Sequence, residues 1–382
     1  MPEERNWVIL RALKKALSMN YLHRKARQIT NSVPLLRRLY ARLQRGNDQP
    51  SSLSNTDYQT RLATETRIYK DVEDINALPE IFHYWSNKYL RPMLEEYGVS
   101  NPDQFFAKYL FESAEKCGHA SSRFVSIGAG NCDTEVRVAK LLTDAGLQSF
   151  TIECLDMNRH MLQRGTEMAI REGVAQHIAV VEGDFNQWRA NKQYVAVMAN
   201  QSLHHVVNLE GLFDEIKRVL NPKGYFVTSD MIGRNGHQRW PEALTAVENF
   251  WSELPQGYRY NQQLNRHEDV YKNWDCSIEG FEGIRAQDIL PLLIERFDFH
   301  LFIGFANVID IFVDRSFGHN FKADEEWDRA FIDRVHAFDE AGLSGGTLTP
   351  THMMAVLTTQ PPSQNFYARG LSPRMSIRMP RS

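Results

Sequence analysis

The chain has 382 residues, 42% of them hydrophobic and 24% charged, with a formal net charge of −3. This is the composition of a globular protein with one large domain or two modest ones, and it excludes a disordered chain. No apolar run approaches the roughly 18 residues a membrane span needs.

Charge is unevenly placed. Residues 1–46 hold 11 Lys/Arg against two acids, Glu3 and Glu4, a charge of +9; the remaining 44 − 11 = 33 bases and 47 − 2 = 45 acids give −12. In this arm Leu10, Leu13, Leu17 and Tyr21 recur at spacings of three and four, while Arg11, Lys14 and Lys15 fall on other faces. That pattern predicts an amphipathic helix, which either packs on its own domain or lies on an anionic membrane or an acidic partner. Arg11 interrupts the first apolar run after four residues, which makes a poor secretory signal. GNDQPSSLSN (46–55) reads as a linker. Residues 1–55 are therefore expected to be a basic arm with its linker, and 56–119 a helical N-terminal segment or lid, aromatic-rich over 80–98.

From Arg123 the texture alternates. Strands are predicted over 123–128, 150–156, 178–183, 194–200 and 224–230, and helices over 134–145, 160–172 and 209–220. This is the signature of a parallel sheet covered on both faces. A helix over 286–296, a strand-like stretch over 299–313 and a final strand over 352–359 complete the expected domain of residues 120–360. The tail from Pro361 carries Arg369, Arg374, Arg378 and Arg381 with no acid, and 361–382 is expected to be disordered. Cys117, Cys132, Cys154 and Cys276 form no CxxC pair, as for reduced thiols of a cytoplasmic protein.

The first strand runs into a glycine turn, VSIGAGNCDTE. Gly128 and Gly130 permit a tight turn and close approach of a ligand to the backbone, and the following helix offers free N–H groups. A dinucleotide fingerprint wants a third glycine where Asp133 stands; a carboxylate there competes with a pyrophosphate for the helix N-terminus. The turn thus favours a nucleoside cofactor without phosphates over a nicotinamide dinucleotide. The next two strands end in LDMN and EGDF, placing Asp156 where a carboxylate accepts ribose hydroxyls and Asp184 where it reaches an adenine amino group. Each acid by itself is more often a cap or turn residue; the ordered set carries the reading.

These motifs, with VMANQSLHHVVN and IKRVLNPKGYFVTSD, resemble the class I S-adenosylmethionine-dependent methyltransferases over residues 120–232. The resemblance implies a Rossmann-like α/β fold with a seven-stranded sheet, the last strand antiparallel, preceded by N-terminal helices. It implies S-adenosyl-L-methionine as cofactor, bound by Gly128, Gly130, Asp156, Met157, Asp184, Phe185 and Asn200. One position departs: Ser126 stands where the family commonly has an acid.

Acceptor chemistry falls on two segments. His204 and His205 follow the fourth strand at the mouth of the site; either both are structural, or one is a base or substrate contact. No third ligand is apparent beside them, so no metal is expected. Residues 233–285 form an insertion where specificity is usually built, and Arg234, His237, Arg239, Trp240 and Arg285 suit a polar or anionic acceptor unless the arginines pair with nearby acids. The expected activity is methyl transfer, chiefly to oxygen, on a small polar or anionic molecule or a glycan. A non-catalytic binding or scaffold relative and an NAD-dependent oxidoreductase are the alternatives. Nucleic acid is not expected as a partner, because the body is acidic and a duplex binder needs a basic stripe.

Overall fold

The computed structural model describes residues 55–69, 78–118, 121–278 and 280–378. The arm of residues 1–46, its amphipathic helix and most of its linker lie outside the described residues, as do residues 379–382. In chain order, α1 (Asn55–Tyr69) and α2 (Pro102–Cys117) precede an alternation of β1 (Ser122–Ile127), α3 (Asp133–Asp144), β2 (Phe150–Asp156), α4 (Arg159–Arg171), β3 (Ile178–Glu182), β4 (Tyr194–Asn200), α5 (Leu209–Val219) and β5 (Leu220–Met231). Then follow α6 (Pro241–Glu253), α7 (Ala286–Arg296), β6 (Asp298–Phe305), α8 (Glu326–Gly345), β7 (His352–Thr358) and the two-residue β8 (Phe366–Tyr367). The sheet runs β8-β6-β7-β5-β4-β1-β2-β3. Strands β1 to β5 are mutually parallel, and β7 is antiparallel to both β5 and β6. This is the expected seven-stranded frame with its antiparallel strand inserted between β5 and β6, plus one short strand at the edge.

Local rules explain the elements. Strand β1 has four consecutive buried residues, Phe124 to Ile127, because both faces of a parallel sheet are covered. Successive side chains alternate. Phe124 therefore packs with α2, α3 and α4 (Phe105, Leu110, Val136, Leu162), while Val125 packs with α5 and α7 (Phe213, Ile216, Leu292, Leu293). Side chains cap the helices: Asn101 accepts from Gln104 N–H, Asn158 from His160 and Met161 N–H, and Asn208 from Gly211 N–H. A third core joins α6 and α8 to residues 306–317, with Trp251, Phe312, Phe317 and Phe331 buried together. Among the described residues no helix is long and apolar enough to cross a membrane.

Two expectations are corrected. The stretch 299–313 is not one strand: β6 ends at Phe305 and Asp310–Val313 is helical. The cause is Asp339 on α8, whose buried carboxylate accepts from the N–H groups of Asn307, Val308 and Ile309 and turns the chain. The tail expected to be disordered is folded through residue 378. Phe366 and Tyr367 pair with Leu301 and Phe302 of β6, Ala368 and Leu371 are buried, and two arginines dock on the body, Arg369 on Glu340 and Arg378 on Glu242.

Removing residues 362–382 strips those contacts and uncovers the edge of β6. Burial of Leu371 and Ala368 alone predicts a loss of about 2 kcal/mol or more, read as a Tm lowered by several degrees in thermal unfolding. A Tm unmoved by the truncation would show the tail to be undocked in solution.

Candidate active site

Gly128 and Gly130 both have positive φ, +69° and +53°, which glycine adopts without the steric penalty of a Cβ. A Cβ on Gly128 would lie 2.5 Å from the Cβ of Ser202, so no other residue fits this turn. The turn is tied to β2: Gly130 N–H donates to Asp156 Oδ2 (2.9 Å) and Asn158 N–H to Oδ1 (2.8 Å). Each carboxylate oxygen keeps a second lone pair. Burial raises the Asp156 pKa, and the two N–H bonds oppose that rise. Beside it the amide Nδ2 of Asn158 is buried without a hydrogen-bond partner, a donor that a bound group could use.

The other nucleoside-side candidates surround this turn. Asp184 accepts from Asn186 N–H, Gln187 Nε2 and the Tyr58 hydroxyl of α1 (2.8 Å). Phe185 is buried and lies in ordinary contact distance of a Cβ built on Gly128 (3.8 Å). Met157 is half-buried against the α5 core. Asn200 Nδ2 donates to Thr134 in the first turn of α3 (3.0 Å). At the departing position, Ser126 Oγ donates to Glu135 Oε1 (2.6 Å). An acid from the first turn of α3 thus lies against this position.

The histidines form a cluster. His204 Nδ1 meets Asp230 (2.7 Å) and its Nε2 faces Glu282 Oε1 (3.3 Å); His205 Nδ1 meets Glu65 of α1 (2.6 Å) and its Nε2 faces Glu282 Oε2 (3.3 Å). His237 Nε2 is 2.6 Å from Glu282 Oε1. Burial disfavours the charged form of His204, yet Asp230 and Glu282 raise its pKa to about 10. Burial works against ionised Glu282 as well, yet His205, His204 and His237 hold it well below the usual carboxylate range. The expectation that no third ligating residue accompanies His204 and His205 is therefore corrected: the insertion returns Glu282 between them. Gly236 and Gly283 make the return possible. Both have positive φ, Gly236 N–H donates to Gly283 C=O (2.9 Å), and a Cβ on Gly283 would press on the His237 backbone at 3.1 Å.

The arginines of the insertion are committed elsewhere. Arg239 pairs with Asp310 and Arg285 with Glu210 and Asp288. Arg234 stacks on Trp240, which also carries the Arg378 guanidinium on its ring, and donates to the Arg239 carbonyl. Of the acceptor-side candidates, His237 joins the cluster, while Arg239 and Arg285 spend their charge within the chain. Sequence reasoning missed Glu65, Tyr58, Asp230 and Glu282. Asp230 was findable, as an acid ending a strand in the manner of Asp156 and Asp184. The other three reach the site only through long-range packing.

Residues 127–228 match the family model of a methyltransferase domain. The sterol 24-C-methyltransferase of Aspergillus fumigatus is 38% identical over 73 residues, 19% of each chain. The sarcosine/dimethylglycine N-methyltransferase of Aphanothece halophytica is 28% identical over 112 residues, 29% of this chain and 38% of that one. The chain thus spans about a fifth to two fifths of the length of these curated relatives. Among solved structures, an O-methyltransferase from a trans-AT PKS multienzyme of Brevibacillus brevis, in complex with S-adenosyl-L-homocysteine, aligns at 12% identity with a TM-score of 0.39, covering 80% of this chain and 86% of that chain.

Glu135 provides a test of the buried acid. Burial raises its pKa from 4.5 to about 7, against the Ser126 hydrogen bond. Its folded pKa exceeds the unfolded one, so the protein is most stable, as far as this group goes, below the unfolded value and loses that stability as pH rises through the folded value. Glu135→Gln keeps an acceptor for Ser126 and removes the titration. The variant should gain on the order of 2–3 kcal/mol on the wild type between pH 5 and pH 8. Melting curves of the two proteins that run parallel across that range would contradict it.

Proposed function

We propose that the protein is a class I S-adenosylmethionine-dependent methyltransferase, as the match of residues 127–228 to a methyltransferase-domain model supports, and that it methylates a hydroxyl oxygen of a small, neutral, polar acceptor such as a sugar or other polyol. The observation that carries this reading is the histidine–carboxylate cluster at the ends of β4 and β5, beside the glycine turn. A hydroxyl must lose its proton as it is methylated, and a positioned base, or a cation that lowers its pKa, helps it. The paired state of Arg239 and Arg285 supports a neutral acceptor over an anionic one.

The residues present fit the cofactor. The Gly128 cradle excludes a Cβ, Asp156 has two free lone pairs, and Asn158 Nδ2 awaits an acceptor. Asp156 and Asn158 would hold the ribose, Asp184 the adenine amino group and Phe185 the adenine ring, while Glu135 and Asn200 flank the turn toward the amino-acid end. When bound, S-adenosylmethionine supplies a methyl group on a sulfonium, an electrophile that needs no further activation. The chain's own part is to hold the acceptor oxygen in line, to shield the reacting atoms with α1 and the insertion, and to ease loss of the hydroxyl proton at the cluster. Peripheral contact of the basic arm with an anionic membrane or partner belongs to the same proposal. Its test is salt-sensitive co-sedimentation with anionic vesicles that deletion of residues 1–50 abolishes.

Calorimetric titration with S-adenosyl-L-homocysteine should give one site, weakened about 30-fold in Asp156→Ala, which corresponds to about 2 kcal/mol of lost hydrogen bonding. Methyl transfer from labelled S-adenosylmethionine should favour polyols over sarcosine and sterols. Titratable binding of NAD in place of S-adenosylhomocysteine would return the oxidoreductase reading, and cofactor binding without transfer to any acceptor class would return the scaffold reading.

A further inference from the structure

We propose that His204, His205 and Glu282 hold one divalent transition-metal ion, with zinc the best fit to the donor set. Each offers one ligand atom, and the three lie within 4.8 Å of one another. The geometry is that of ligands around a shared centre. Bonds of about 2.0–2.2 Å at tetrahedral angles separate neighbouring donor atoms by about 3.3–3.6 Å; His204 Nε2 lies 3.3 Å from Glu282 Oε1 and His205 Nε2 3.3 Å from Oε2, so the carboxylate spans both rings. As direct contacts these are longer than good charge-assisted hydrogen bonds, unlike the 2.6–2.7 Å contacts on the opposite side of each ring.

Those opposite contacts are the second argument. Asp230 engages Nδ1 of His204 and Glu65 engages Nδ1 of His205. A carboxylate on one ring nitrogen places the proton there and turns the lone pair of the other nitrogen toward the centre, the arrangement that accompanies metal-binding histidines. Glu282 is aligned in turn by His237. Three carboxylates converge on this buried volume, and the cationic side chain beside it, Arg239, is paired with Asp310.

Two imidazoles and one carboxylate suit zinc among the divalent ions, and three protein ligands leave a coordination position open. Its use would follow from the methyltransferase reading, on which this one step rests: the open position would take the acceptor hydroxyl and lower its pKa. The proton leaves to water, the oxygen forms its bond to the methyl carbon, and the carbon–sulfur bond breaks with its electron pair going to sulfur. In this arrangement the histidines act as ligands and not as the base.

The test uses the full-length protein, stripped with a chelator and dialysed. Titration with Zn2+ should reach one equivalent by elemental analysis. Co2+ should give the visible bands of a four- or five-coordinate ion, and Mg2+ and Ca2+ should not compete. His205→Ala and Glu282→Gln should each weaken the ion more than roughly 100-fold, Glu65→Gln by at least roughly 10-fold, and exposed His267→Ala not at all. S-adenosylhomocysteine affinity, measured on the same samples, should survive His205→Ala and reports folding. Failure of the wild type to bind Zn2+ or Co2+ while S-adenosylhomocysteine still binds overturns the metal site and leaves the methyltransferase reading standing. Retention of the ion by both His205→Ala and Glu282→Gln also overturns it. One bound ion without S-adenosylhomocysteine binding keeps the site and overturns the function.

Discussion

The carboxylate of Asp230, fully buried at the end of β5, is the constraint around which the site is assembled. Its oxygens accept from the backbone N–H groups of Ser202, Leu203 and Met231 and meet Nδ1 of His204. A buried carboxylate is stable only when such donors replace its water. Here they come from two strand ends, and the register of β4 on β5, Asn200 opposite Ser229, brings them within reach. Ser202 carries the constraint onward by donating to the Ile127 carbonyl at the end of β1. The same serine presses on Gly128 closely enough to forbid a side chain there. One charged group thus fixes the turn after β4, the glycine turn after β1 and the orientation of His204.

The insertion closes the site because its own charges are neutralised at a distance. Arg239 is held by Asp310, which also meets Thr351 and His352 at the start of β7. Arg285 is held by Glu210 on α5. These pairs are mostly buried, where leaving one partner behind is strongly unfavourable, so they anchor the insertion to the sheet. They also explain why a segment rich in arginine presents a histidine–glutamate surface to the cleft.

The parallel strands and their helices were legible because their signals are local. Residues 150–156 and 194–200 are apolar runs bounded by turns, and the predicted spans coincide with the folded ones. The glycine turn and the acids ending β2 and β3 were legible for the same reason: each sits at a position that the chain's own order defines. What was not legible arrives from far along the sequence. Glu65 and Glu282 meet at His205 from sequence separations of 205 − 65 = 140 and 282 − 205 = 77, and no pattern within either segment announces the meeting. The folded tail escaped because its few apolar residues, Leu371 among them, look too sparse for a core until the groove beside β6 receives them. The 299–313 stretch misled because its apolar run is continuous; a single carboxylate on α8 breaks it.

Helix α1 draws the two halves of the site together. Tyr58, Arg61 and Glu65 are spaced by three and four residues and share one face. Tyr58 donates to Asp184 at the nucleoside end. Arg61 donates to the carbonyls of Ser277 and Gly280 in the insertion. Glu65 meets His205 and also accepts the N–H of Phe281, the residue before Glu282. One face of α1 thus joins Asp184 at the end of β3 to His205 and the insertion.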